Sequence, residues 1–97
     1  MKFVKDRANS GTSLQGYAAT TYKELVSVFG EPDYGPGRRT GDKVTCEWGL
    51  KFEDGTVATI YDWKLNTTPK QRYDWHIGGL NVNAVIRVLE ELNKSQE

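Results

Sequence analysis

The stretch Val44-Thr45-Cys46-Glu47-Trp48-Gly49-Leu50-Lys51-Phe52, then Glu53-Asp54-Gly55, then Thr56-Val57-Ala58-Thr59-Ile60-Tyr61-Asp62-Trp63, sets the architecture of this chain. Val44, Cys46, Trp48, Leu50 and Phe52 fall on one side of an extended backbone, with Thr45, Glu47, Gly49 and Lys51 on the other. Alternation with a period of two is the pattern of a half-buried strand. Asp54-Gly55 is a tight-turn pair, and the β-branched run after it supplies a returning arm. The reading is a β-hairpin.

Downstream, Leu65-Asn66-Thr67-Thr68-Pro69-Lys70-Gln71 ends the arm as a loop, and Arg72-Tyr73-Asp74-Trp75-His76-Ile77 resumes alternation with Tyr73, Trp75 and Ile77 together. A further strand is predicted there. Gly78-Gly79 is expected to turn the chain into a final helix capped by Asn81 or Asn83, with Val82, Val85, Ile86, Leu89 and Leu92 as its apolar face. Upstream, Thr21-Tyr22-Lys23-Glu24 has the capping-box pattern, so a helix of about nine residues should begin there and stop at Gly30 and Pro32. Residues 13–19 are a weaker strand, because Gly16 interrupts them. Residues 1–12 read as a loosely ordered polar entry, and residues 33–43, with three glycines and a proline, as a mobile loop. The predicted fold is α+β, one domain over residues 1–97. An antiparallel sheet of three to four strands carries two amphipathic helices on one face, in the order strand-helix-strand-strand-strand-helix.

Composition narrows the function. The 97 residues carry 13 Lys and Arg against 13 Asp and Glu, so net charge is zero, which disfavours bulk attraction to duplex nucleic acid. Apolar runs of four or five residues are far short of the roughly 20 needed for a spanning helix, and the N-terminus lacks a signal-peptide core. A soluble protein without membrane association is expected. A single cysteine, Cys46, and a single histidine, His76, do not supply a zinc quartet, and no cofactor is implied. Three Trp and five Tyr against three Phe are the marked excess. Such rings combine apolar area with a polar handle.

The chain has no Gly-x-Ser-x-Gly elbow, no phosphate-binding loop ending in Lys-Ser/Thr and no His-Glu-x-x-His, so a nucleophilic or metal-dependent enzyme has no motif to rest on. Cys46 shares its face with Trp48 and reads as a buried inert thiol. Glu47 and Asp62, both expected off the Trp48 face, read as partners of Lys51 and Lys64 in cross-strand ion pairs rather than as an acid–base dyad. Binding has more support. Arg38, Arg39 and Lys43 cluster on the glycine-rich loop, and arginine engages phosphate bidentately. Gly78 and Gly79 at an expected helix start would offer backbone amides to an anion. Tyr61, Trp63, Tyr73 and Trp75 on neighbouring strands can present rings to a nucleobase, although Trp63 and Trp75 suit the core equally, and His76 can orient a base edge. These features together fit a small phosphorylated aromatic ligand, with Arg38, Arg39, Tyr61, Trp63, Trp75, His76, Gly78 and Gly79 as the candidate site.

The runs Thr21-Tyr22-Lys23-Glu24-Leu25-Val26, Phe29-Gly30-Glu31-Pro32, Glu47-Trp48, Phe52-x-Asp54-Gly55-Thr56-Val57-Ala58-Thr59-Ile60-Tyr61-Asp62-Trp63-Lys64 and Trp75-His76-Ile77-Gly78-Gly79 resemble a widespread group of small phage-encoded proteins, the anti-CBASS sponges. The resemblance spans residues 11–92. It implies a homo-oligomer acting in the bacterial host cytoplasm, where it evades immunity by sequestering a cyclic di- or oligonucleotide signal without cleaving it. A small inhibitor that binds a host defence protein directly, of the anti-CRISPR type, is the alternative.

Overall fold

The computed structural model describes residues 1–6, 11–39 and 43–95. Strands β1 (Phe3–Lys5) and β2 (Ser13–Thr20) precede helix α1 (Tyr22–Phe29). Strands β3 (Glu47–Phe52), β4 (Val57–Tyr61) and β5 (Tyr73–Gly79) then lead to helix α2 (Asn83–Lys94). The five strands form one sheet in the order β1-β3-β4-β5-β2, and every pairing is antiparallel.

The predicted hairpin is β3-β4, with Trp48 opposite Ile60 and Leu50 opposite Ala58. The Asp54 carboxylate accepts the Thr56 amide at 3.0 Å, and Gly55 takes the positive φ of 90° that the turn needs. Helix α1 starts as its capping residues dictate: the Thr21 hydroxyl accepts the Glu24 amide at 3.1 Å. Gly30 ends it at φ 84°, its amide bonding the Val26 carbonyl.

Three expectations need correction. The sheet has five strands rather than three to four, and the order begins strand-strand-helix. Residues 3–5, inside the segment read as a loose entry, form β1, because Phe3 has Phe52 opposite it in the sheet and Phe29 within ring contact at 5.3 Å. Residues 7–10 of that segment lie outside the described residues. Finally, Gly78 and Gly79 do not turn the chain. They are the last two residues of β5, opposite Thr59 and Ala58, and α2 begins only at Asn83.

Both helices cover the Trp48 face. Helix α1 brings Tyr22 to 5.9 Å from Trp48 and Phe29 onto Phe3. Ala84 of α2 sits against Gly79, and Val85 against Gly16, where an added Cβ would lie 2.5 Å and 2.9 Å from them. The core between the layers is Ala18, Leu25, Phe29, Cys46, Trp48, Leu50, Phe52, Ala58, Ile60, Trp75, Ile77, Ala84, Val88 and Leu92. Each large side chain there contributes about 1.5–3 kcal/mol by leaving water. The Trp48 indole donates to the Gly30 carbonyl at 2.9 Å, so the end of α1 is joined to β3. The opposite sheet face has no helix over it among the described residues.

Candidate functional site

Register places the site. Glu47 lies opposite Tyr61, Tyr61 opposite His76 and His76 opposite Tyr17, a row that crosses β3, β4, β5 and β2. Directly paired residues share a sheet face, and this row lies on the one away from the helices. The rings meet there. His76 is 5.0 Å from Tyr17 in an edge contact and 5.4 Å from Tyr61. Trp63, just beyond β4, stands 6.3 Å from Tyr61 and 6.4 Å from His76. Its ring also receives the Lys43 ammonium at 5.7 Å, within reach of a cation–π attraction. Tyr17 and Trp63 remain 51% and 41% exposed, so ring surface is open to solvent. Gly78 makes room for this layer: a Cβ there would stand 2.5 Å from the Thr59 hydroxyl and 3.4 Å from the Tyr61 ring.

His76 is the centre of the row. Burial pushes its imidazole pKa below the ordinary 6.5, against the opposing pull of Asp62 and Asp74. Its Nδ1 is buried and has no hydrogen-bond partner among the described residues.

Beside the aromatic row lies a groove of about 810 Å³ between residues 36–38 and residues 65–73. Its walls carry Arg38, Lys70 and Arg72, with Pro36, Leu65, Pro69 and Tyr73 as apolar surface, and among the described residues no carboxylate lines it. None of the three cations enters an ion pair among the described residues. Tyr73 connects groove and row: its hydroxyl accepts the Trp63 amide at 3.2 Å, and its ring is 6.3 Å from His76.

The groove is held from beneath by Asp62. This fully buried carboxylate accepts the Thr45 amide at 2.7 Å and the Thr45 hydroxyl at 2.5 Å. The Thr45 hydroxyl lies 2.7 Å from that of Thr68, and Thr68 in turn accepts the Gly37 amide at 3.1 Å. Arg38 forms an antiparallel bridge with Thr67, and the Arg39 amide donates to the Asn66 carbonyl at 2.9 Å. The segment expected to be a mobile loop is therefore, as far as Arg39, bonded to its neighbour; residues 40–42 lie outside the described residues. Asp62 likewise serves the interior, where Thr45 needs an acceptor, and does not sit off the Trp48 face with Glu47.

Of the candidate residues, Tyr61, Trp63 and His76 come together on the uncovered face, and Arg38 lines the adjoining groove. Arg39 is exposed beside it and does not line it. Trp75 is on the other side of the sheet, fully buried at 5.6 Å from Trp48, because its alternation partner is the core residue Ile77. Gly78 and Gly79 are buried strand residues, so their amides do not form a helix N-terminus. Three residues of the arrangement escaped the sequence reading. Tyr17 lies in the strand weakened by Gly16, Lys70 lies in a loop that reads only as a connection, and Arg72 opens the expected strand with no motif to mark it. Cys46 is buried, and burial with the charges of Asp62 and Glu47 pushes its thiol up to about 12. Among the described residues no three His, Cys, Asp or Glu side chains gather as metal ligands would, and no helix is long and apolar enough to cross a membrane.

Comparison of the chain with protein-family models, with curated proteins and with solved structures found no match.

Proposed function

We propose that this protein is a non-catalytic binding module that captures a cyclic nucleotide and holds it intact. The observation that carries the reading is the junction at Tyr73 of an exposed aromatic row with a groove whose described residues include three cations and no carboxylate. A base stacked on Trp63 or Tyr17 gains about 1–3 kcal/mol. Phosphate oxygens in the groove meet Arg38, Lys70 and Arg72, and charge-assisted bonds there contribute about 1.5–3 kcal/mol each. His76, neutral at physiological pH, orients the base edge through a ring nitrogen. In the setting implied by the resemblance to phage sponges, several copies would act in the cytoplasm of an infected bacterium, lowering the free concentration of an immune signal.

The test is incubation with a panel of cyclic di- and oligonucleotides, removal of free ligand, heat release and mass analysis. Intact ligand is the expected product. Linear products would move the protein to the phosphodiesterases, and retention of none of the panel would overturn the reading. Replacing both arginines, Arg38→Ala with Arg72→Ala, should weaken capture roughly tenfold or more while leaving the melting temperature unchanged.

A direct inhibitor of a host defence protein is the second reading, favoured by Leu80, Val82, Ile86 and Leu89, which are 63%, 57%, 45% and 37% exposed on and before α2. It predicts a stable complex with a host protein and no nucleotide retained.

A further inference from the structure

The two edges of the sheet are built differently. Edge strand β1 has three residues and carries Lys5, whose ammonium bonds the Glu31 carbonyl and faces Asp33 at 3.7 Å. Short length and lysine are the ordinary protections of an edge against pairing with another chain. Edge strand β2 is eight residues long, Ser13-Leu14-Gln15-Gly16-Tyr17-Ala18-Ala19-Thr20, with no charge and no proline. On its inner side it pairs with β5. On its outer side, every second residue turns its N–H and C=O away from the sheet, and no group among the described residues accepts or donates there.

One protection does exist on β2. The register with β5 shifts between Leu14 and Gly16, which disrupts that end. From Gly16 to Thr20 the register is unbroken, running from Ile77 to Tyr73. The helices leave this segment clear as well. Helix α1 packs over Trp48 and Phe3, towards the β1 edge, and α2 rests on the inner face at Gly16.

We infer that β2 is a homodimerisation edge, at which a second copy of this chain adds its own β2 antiparallel across residues 16–20 and joins the two sheets into one. A second copy fits for three reasons. Antiparallel pairing about a two-fold axis is self-complementary, so one segment supplies both halves. The segment is uncharged, so no like charges meet across the axis. Its side chains also match one another across that axis. The midpoint of residues 16–20 is Ala18, and an axis there puts Tyr17 opposite the Ala19 of the second copy, and Gly16 opposite its Thr20. Tyr17 and Ala19 both lie on the uncovered face, opposite His76 and Asp74 of β5, and both are exposed. The 51%-exposed Tyr17 ring thus gains a small apolar partner, and two aromatic rows adjoin at the axis. The inference stands apart from the ligand reading, since pairing needs only the strand.

Light scattering on the eluting protein, across a range of loading concentrations, tests it. Twice the 11.0 kDa chain mass is expected, falling to the single-chain mass in Ala19→Lys. Hydrogen exchange on the same samples should show alternate amides of residues 16–20 protected in the parent and released in the variant, with the melting curve of Ala19→Lys reporting a retained fold. A parent that stays at single-chain mass up to its solubility limit overturns the inference. So does a dimer that survives Ala19→Lys but separates in Ile86→Lys, because the interface would then lie on α2.

Discussion

His76 joins four aromatic side chains from three strands and the segment that follows β4. Its ring is the hub of contacts with Tyr17, Tyr61, Trp63 and Tyr73, and desolvation there favours the neutral form. In the unfolded chain the imidazole titrates near 6.5. Because the folded value is lower, the unfolded chain binds more protons between the two values. The stability from burying a neutral His76 is therefore fully present above 6.5 and is lost as pH falls through the folded value. The urea midpoint should fall between about pH 7.5 and about pH 5.5, and the drop should shrink in His76→Gln. Asp54 does not confuse this window, since its hydrogen bond from the Thr56 amide holds its carboxyl at about 2. An equal drop in parent and variant would assign the pH response elsewhere.

At the scale of elements, the decisive contacts are where α2 meets the sheet. Helical period singles out Val82, Val85, Ile86, Leu89 and Leu92 as the apolar face of this helix, and the packing corrects that expectation. The stripe through Val82, Ile86 and Leu89 is exposed, and the one through Ala84, Val88 and Leu92 is buried. Gly79 makes the choice, because it lets Ala84 approach the sheet as no larger residue would. Gly79→Ala should therefore destabilise by about 1–3 kcal/mol, since the new methyl meets the Ala84 Cβ at 2.5 Å and the Val57 carbonyl at 3.1 Å. Gly16→Ala should cost less. The nearest atoms its methyl meets belong to the Val85 side chain, at 2.9 Å and beyond, and none is backbone. Chemical denaturation of the two variants checks the order, and the reverse order would mean that α2 is positioned by something other than Gly79.

Across the whole molecule, a hydrogen-bonded chain from Asp62 through Thr45 and Thr68 to Gly37 fastens two connecting segments into the wall of one groove. Asp62→Ala leaves the Thr45 amide buried without its acceptor, a loss of about 1–3 kcal/mol. Both the denaturation midpoint and nucleotide retention should fall, whereas Arg38→Ala with Arg72→Ala should touch retention alone. The sequence by itself determined the β3-β4 hairpin, the capped start of α1, the buried position of Cys46 and the outward side of His76. Each follows from residues within a turn or a strand of one another, where dihedral preference, side-chain capping and alternation act without help. What only the tertiary structure decided is the site. Tyr17 reaches His76 because β2 pairs with β5, which lies far along the chain from it. Arg38 and Arg72 line one groove because a hydrogen-bonded chain from buried Asp62 holds their segments together. Alternation told which residues share a side of one strand, but burial and register between distant strands choose the neighbours, and these emerge only when the core has packed.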